Sequence, residues 1–106
     1  MPLMNFKLLD LNFTVDTQND HYGLDFWNGF ANLQYEPDTV ILLYSLSGPG
    51  VHFMDLGAAN GAMSLIAMLR GSQVTSYEPN PEMFEVLKTN MSRNPGIAYQ
   101  KKLCSI

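Results

Sequence analysis

Apolar and polar positions nearly alternate between Phe6 and Val15, with Phe6, Leu8, Leu11, Phe13 and Val15 on the apolar side of the pattern. A period of two marks a half-buried strand, and the slip at Leu8 and Leu9 breaks the phase, so the segment predicts one bent strand or a short hairpin. Thr17 to Gly23 is polar and turn-rich. Beyond it Leu24, Trp27, Phe30 and Ala31 recur at helical spacing, which makes Trp27 and Phe30 packing residues rather than a binding platform. Pro37 suits the first turn of a helix, where its missing N–H is no loss. The run from Asp38 to Leu46 gives that helix Val40, Ile41, Leu43 and Tyr44 as an apolar face, and Ser47-Gly48-Pro49-Gly50 ends it.

The second half of the chain changes period. Val51-His52-Phe53-Met54 is a short apolar run bounded by turn signals and predicts a strand. Met63 to Arg70 predicts a helix with a broad apolar surface, with Gly71 as its left-handed terminal residue. Gln73 to Tyr77 predicts a second strand. Asn80 before Pro81 is an N-cap followed by a proline at the first helical position, and Met83, Phe84, Val86, Leu87, Asn90 and Met91 keep helical period until Asn94-Pro95-Gly96. Ile97 to Leu103 predicts the opening of a third strand. Strand, helix, strand, helix, strand with short connections argues for an α/β fold, a Rossmann-like parallel sheet with helices on its faces. Residues 1–50 are expected as a lead-in of strand or hairpin plus helices, and 51–106 as the first half of the wound domain. Such sheets generally carry five or more strands, so the three expected here read as the front portion of a longer, truncated fold.

Composition narrows the function classes. The chain has 106 residues, 46% hydrophobic and 15% charged, with a formal net charge of −4. Residues 1–50 hold six acids and one base, whereas 51–106 hold four acids and five bases. No basic stripe follows a phosphate backbone, so direct nucleic-acid binding is not expected. Cys104 is the lone cysteine, which rules out an intrachain disulfide or a cysteine metal cluster and makes a reducing, cytoplasmic setting the expectation. Asp10, Asn12 and Asp16 interrupt any apolar stretch near the N-terminus, so neither a signal peptide nor a membrane association is expected. His21 and His52 lack metal-ligand spacing, and no metal site is expected.

The chemistry is concentrated where the first wound strand gives way to its helix, at Asp55-Leu56-Gly57-Ala58-Ala59-Asn60-Gly61. Ligands of open α/β sheets sit outside the carboxyl ends of the strands, and Gly57 and Gly61 permit a sharp turn and a close approach of backbone to ligand. Glu78 lies 21 residues beyond Gly57, at the end of the second strand, where a carboxylate can accept both hydroxyl hydrogens of a ribose. Asp55 decides between ligands. A carboxylate there repels a pyrophosphate but attracts S-adenosyl-L-methionine, which has no phosphate and carries a sulfonium and an ammonium. The spacing Gly57-x-x-x-Gly61 also differs from the Gly-x-Gly-x-x-Gly of nicotinamide and flavin folds.

The run Asp55 to Gly61, with Ser76-Tyr77-Glu78-Pro79-Asn80-Pro81 and the helix through Leu87 and Asn90, resembles the FkbM family of methyltransferases. Phe26-Trp27 and Tyr35-Glu36-Pro37-Asp38-Thr39 resemble the segment before the cofactor strand in one branch of it, so the resemblance spans about residues 26 to 94. It implies O-methyl transfer to a small-molecule or sugar acceptor. By position it implies that Asp55, Gly57, Ala58, Asn60 and Gly61 surround the methionine part of the cofactor and that Glu78 binds the ribose. Asn80 is either an adenosine neighbour or only a helix cap. Glu36 either reaches the cofactor ammonium or only favours the start of its helix. No residue is assigned as the general base that methyl transfer to an un-ionised oxygen needs, and the acceptor site is expected to lie outside this stretch, leaving the isolated chain inactive. Two other readings stand beside this one: a nicotinamide-dependent oxidoreductase fragment, against which Asp55 argues, and a non-catalytic α/β module that self-associates through an open sheet edge.

Overall fold

In the computed structural model, residues 3–17 and 23–94 are described in full and 101–104 by their backbone. The elements run β1 (Leu3–Leu8), β2 (Leu11–Asp16), α1 (Gly23–Ala31), α2 (Pro37–Leu46), β3 (His52–Leu56), α3 (Ala62–Leu69), β4 (Gln73–Tyr77), α4 (Pro81–Ser92) and β5 (Lys101–Cys104). The alternating N-terminal segment is a hairpin: β1 and β2 pair antiparallel from Leu3 opposite Asp16 to Leu8 opposite Leu11. Leu9 makes the turn with φ 54°, which absorbs the phase slip seen in the sequence. Leu8, Leu11, Phe13 and Val15 are buried, so the inward face of the hairpin is the one the pattern marks.

Helix α1 lies on that face. Trp27 and Phe30 are fully buried, and the Phe13 ring stands 5.9 Å from Trp27 and 6.2 Å from Phe30. Burying a side chain of this size stabilises by about 2–3 kcal/mol, which fixes the helix on the hairpin. Phe26 extends the cluster to Tyr35, 4.9 Å away and edge-on, so the connection between α1 and α2 is anchored by a ring contact.

The wound portion is a three-stranded parallel sheet of order β3-β4-β5, with Asp55 opposite Ser76 and Leu56 opposite Tyr77. Strand β3 runs two residues further than the expected Val51 to Met54, because Asp55 and Leu56 continue the ladder to β4. The expected third strand at Ile97 to Leu103 falls partly outside the described residues; its described part is β5, paired parallel to β4. His21 and most of the polar stretch at 17–23 also lie outside them. His52 bonds the Thr75 hydroxyl at 2.8 Å, a cross-strand structural contact.

Helix α3 is buried over Ala62, Ser64, Leu65, Ile66, Ala67 and Met68, and it packs on β3 and β4, on α2 and on β2. One hydrophobic cluster therefore runs from Leu8 and Trp27 through Val40 and Leu65 to Leu87 and Met91. The expected apolar face of α2 is only partly used. Val40 is buried and Leu43 and Tyr44 pack against the core, but Ile41 stands exposed along with Leu42 and Leu46. Consecutive apolar residues on a helix point in different directions, and only one side of α2 meets α3. Among the described residues β3 has no partner on its outer side, and Met54 and Leu56 are exposed there.

Helix α4 joins the two halves through asparagines. Asn90 accepts the Asp16 N–H at 3.2 Å and donates to the Asn60 carbonyl at 2.9 Å. Asn94 accepts the Thr14 N–H and donates to the Thr14 and Asn90 carbonyls, each at 2.7 Å. The side of β2 that faces away from β1 is thus satisfied by amide side chains in place of another strand, as buried backbone polar groups require.

Candidate functional site

The turn after β3 is built by backbone hydrogen bonds that close on β4. The Gly57 and Ala58 amides both donate to the Tyr77 carbonyl at 2.9 Å, which draws the turn over the end of the neighbouring strand. Gly57, at φ 79°, and Ala59, at φ 53°, take left-handed backbone, and the reversal needs it at both positions. Ala59 donates to Glu78 Oε1 at 2.7 Å, Gly61 to the Ala58 carbonyl at 2.9 Å, and Ala62 to Asn60 Oδ1 at 3.2 Å. Five backbone amides of this turn, at 57, 58, 59, 61 and 62, are therefore taken by protein acceptors. A phosphate cradle needs such amides directed at the ligand.

Glu78 follows β4 and is buried. Its Oε1 takes the Ala59 amide and its Oε2 the Asn80 amide at 3.0 Å, so the carboxylate is held from both sides. Each carboxylate oxygen retains acceptor capacity beyond one bond, which suits a pair of vicinal hydroxyls. Asn80 itself caps α4: its Oδ1 accepts the Met83 N–H at 3.0 Å, the geometry of an N-cap side chain.

Asp55, next to last in β3, stands half-buried beside the turn. Its Oδ2 accepts the Ser64 hydroxyl at 2.7 Å, and Ser64 in turn contacts the Ser76 hydroxyl at 2.7 Å. Burial pushes the Asp55 carboxyl above the ordinary carboxylate range, with a smaller contribution from the Glu78 charge and against the hydrogen bonding to Ser64. A carboxylate whose charge is penalised by its surroundings gains most from a cationic ligand.

Asp55, Gly57, Ala58, Ala59 and Asn60 line one open cavity of about 210 Å³, joined by Phe26, Tyr35 and Glu36 from the α1–α2 connection and by Ala62 and Met63 from α3. Among the described residues no Lys, Arg or His lines it. Of the residues singled out in the sequence, Glu78 and Gly61 are not among those lining the cavity: Glu78 bonds the turn through the Ala59 amide, and a Cβ at Gly61 would lie 2.9 Å from Leu87 Cδ1, so this glycine admits α4. The Asn60 amide oxygen caps the start of α3 and its carbonyl takes Asn90, so both work inward while the residue lines the cavity. Sequence reasoning missed Ser64, a small polar residue in a helix, and gave Ser76 no role although it opens the Ser76 to Pro81 run; the signal for both is the pairing of Asp55 with Ser76 once the strands are in register. It also missed the cavity-lining role of Phe26 and Tyr35.

No family model matches the chain. The bovine protein-lysine methyltransferase METTL21E is 30% identical over 94 residues, which covers 89% of this chain and 31% of the bovine protein. The fold matches the Pyrococcus horikoshii protein PH0793 with a TM-score of 0.65 and 14% identity, over 99% of this chain and 36% of that one. It also matches the Pyrococcus abyssi tRNA (uracil-54, C5)-methyltransferase, solved with S-adenosyl-L-homocysteine, with a TM-score of 0.65 and 14% identity over 100% of this chain and 24% of that one. The chain thus spans about a third of the length of the bovine relative. The fold is that of the N-terminal portion of a Rossmann-like methyltransferase domain. These likenesses support a methyltransferase family without singling out the FkbM branch.

Proposed function

We propose that the chain forms the S-adenosyl-L-methionine half-site of a methyltransferase. The observation that carries this reading is the state of the turn after β3. Its amides at 57, 58, 59, 61 and 62 are bound to protein acceptors, and the carboxylates of Asp55 and Glu36 line the cavity beside it. That arrangement opposes the nicotinamide alternative and favours a cationic nucleoside. Glu78 would hold the ribose hydroxyls, and Asp55 with the backbone of Gly57 to Asn60 would surround the methionine part. When bound, the cofactor supplies an electrophilic methyl group. The residues of this half-site orient it and balance its charge.

For the acceptor, the FkbM-like motif supports an oxygen atom on a small molecule or sugar. The curated relative is named for protein lysine and a solved neighbour for a tRNA uracil, so the motif is the only support for oxygen. The half-site is tested first by calorimetric titration of the folded chain with S-adenosyl-L-homocysteine and, in parallel, with a nicotinamide dinucleotide. Binding of the former alone, weakened about tenfold or more in Asp55→Asn and Glu78→Gln, is the expected result. Binding of the dinucleotide alone would overturn the proposal.

A further inference from the structure

Glu36 is one of four non-glycine residues with left-handed backbone among the described residues, with Leu9, Leu33 and Ala59, and it alone of them is a helix N-cap. It caps α2 with φ 42° and ψ 56°, a left-handed conformation, and its side chain makes no capping hydrogen bond. An N-cap residue ordinarily has extended backbone and uses its side chain to satisfy an amide of the first turn. Left-handed backbone is disfavoured for any residue with a Cβ, and a following proline restricts the choice further. Glu36 therefore carries a disfavoured geometry without the usual return at a helix start.

The surrounding contacts hold it there. The Gln34 amide donates to the Gly29 carbonyl at 2.7 Å, Tyr35 is edge-on to Phe26, and the Glu36 carbonyl accepts the Val40 amide at 3.0 Å. The outcome is that Glu36 lines the same cavity as Asp55 and the turn from Gly57 to Asn60, together with Phe26, Tyr35 and Met63. The carboxylates of the site are otherwise engaged: Glu78 by two amides and Asp55 by Ser64. A cavity whose lining includes two aromatic residues and two carboxylates, and among the described residues no basic side chain, favours a cation. Of the two cations on the cofactor, the sulfonium disappears with the methyl group, whereas the ammonium persists in the product.

We propose that Glu36 binds the ammonium group of the cofactor's amino-acid end, closing the half-site from the α1–α2 connection. This inference rests on the S-adenosyl-L-methionine reading above and adds to it a residue from outside the glycine turn. Recognition of that end then depends on a residue 19 positions before Asp55, carried by a loop with its own aromatic anchor.

Two ligands separate this role from a structural one. S-adenosyl-L-homocysteine carries the ammonium; 5′-methylthioadenosine has the same nucleoside and thioether but no amino-acid end. Both are titrated into the wild-type chain, Glu36→Gln and Glu36→Gly. The expected result is an affinity for S-adenosyl-L-homocysteine about tenfold lower in both variants, with 5′-methylthioadenosine unchanged. Glu36→Gly, which relaxes the backbone, should also melt no lower than wild type. Equal losses for both ligands would show that Glu36 only shapes the loop, and an unchanged affinity for S-adenosyl-L-homocysteine would show that it does not meet the ligand; either overturns the inference alone. Failure of the wild-type chain to bind either ligand would overturn the cofactor reading with it.

Discussion

Replacing Gly61 with alanine separates two reasons for a glycine in this turn. Gly61 has φ 90°, and an added Cβ would meet Leu87 Cδ1 at 2.9 Å, with Met91 Sδ at 3.8 Å. Gly57 has φ 79° and nothing within 4 Å of such a Cβ, so Gly57→Ala carries the backbone penalty alone. Left-handed backbone costs about 1–2 kcal/mol for alanine. Leu87 is fully buried, so its displacement adds an overpacking term of about 1–3 kcal/mol at Gly61 only. For a chain of this size each kcal/mol lowers the melting temperature by roughly 4–8 °C. Gly61→Ala should therefore melt roughly 10 °C or more below wild type, and clearly below Gly57→Ala, by calorimetry or circular dichroism. Combining Gly61→Ala with Leu87→Ala makes room for the new methyl, so the double variant should lose less than the two single losses added together. Equal melting of Gly57→Ala and Gly61→Ala, with additive losses in the Leu87 cycle, would refute the claim that Gly61 exists to admit α4.

Two further outcomes are expected. Burial raises the Asp55 carboxyl in the folded state, so at pH values between the unfolded and the raised folded pKa the native chain binds more proton than the unfolded chain. The stability linked to that proton is full below the unfolded pKa of about 3.9 and lost as pH rises through the raised folded value. Asp55→Asn should thus melt up to a few degrees higher at neutral pH, discounted for the partial exposure of the site, and lose the advantage in acid, as thermal scans across pH will show. An Asn variant that is destabilised at neutral pH and equal in acid would contradict the sign. Asn94→Ala removes three hydrogen bonds and strands the Thr14 amide and carbonyl, for a loss of about 2–4 kcal/mol in denaturant titration. The Thr14 amide should lose protection from hydrogen exchange, and retained protection would count against the clasp.

Much of the fold is local and was legible. The phase slip at Leu8 and Leu9 is the hairpin turn, Trp27 and Phe30 are core, and Asn80-Pro81 opens α4 with the side-chain bond that the residue types announce. Within the candidate site, the closeness of the turn to Glu78, bonded through the Ala59 amide, followed from position, because both sit at carboxyl ends of adjacent parallel strands. What escaped depends on partners remote in sequence. Asn90 and Asn94 read as helix-period and helix-stop residues, yet their amides meet β2 at separations of 74 and 80 residues. Gly61 read as a ligand glycine because a turn motif does not record which helix passes behind it. The exposure of Ile41 was hidden for the same reason, since a continuous apolar run does not say which side will be covered.

The asparagine clasp also sets a timetable for synthesis. The hairpin is made well before α4, yet the groups that satisfy the free side of β2 reside on that helix, with Asn94 80 positions after Thr14. At about 5–20 residues per second, the Thr14 backbone waits roughly 4–16 s for its partner to be made. During that interval β2 is a bare strand edge on a nascent chain. A hairpin docked by α1 alone must persist long enough for α4 to arrive, so the aromatic anchor of Trp27 and Phe30 serves the growing polypeptide before it serves the finished one.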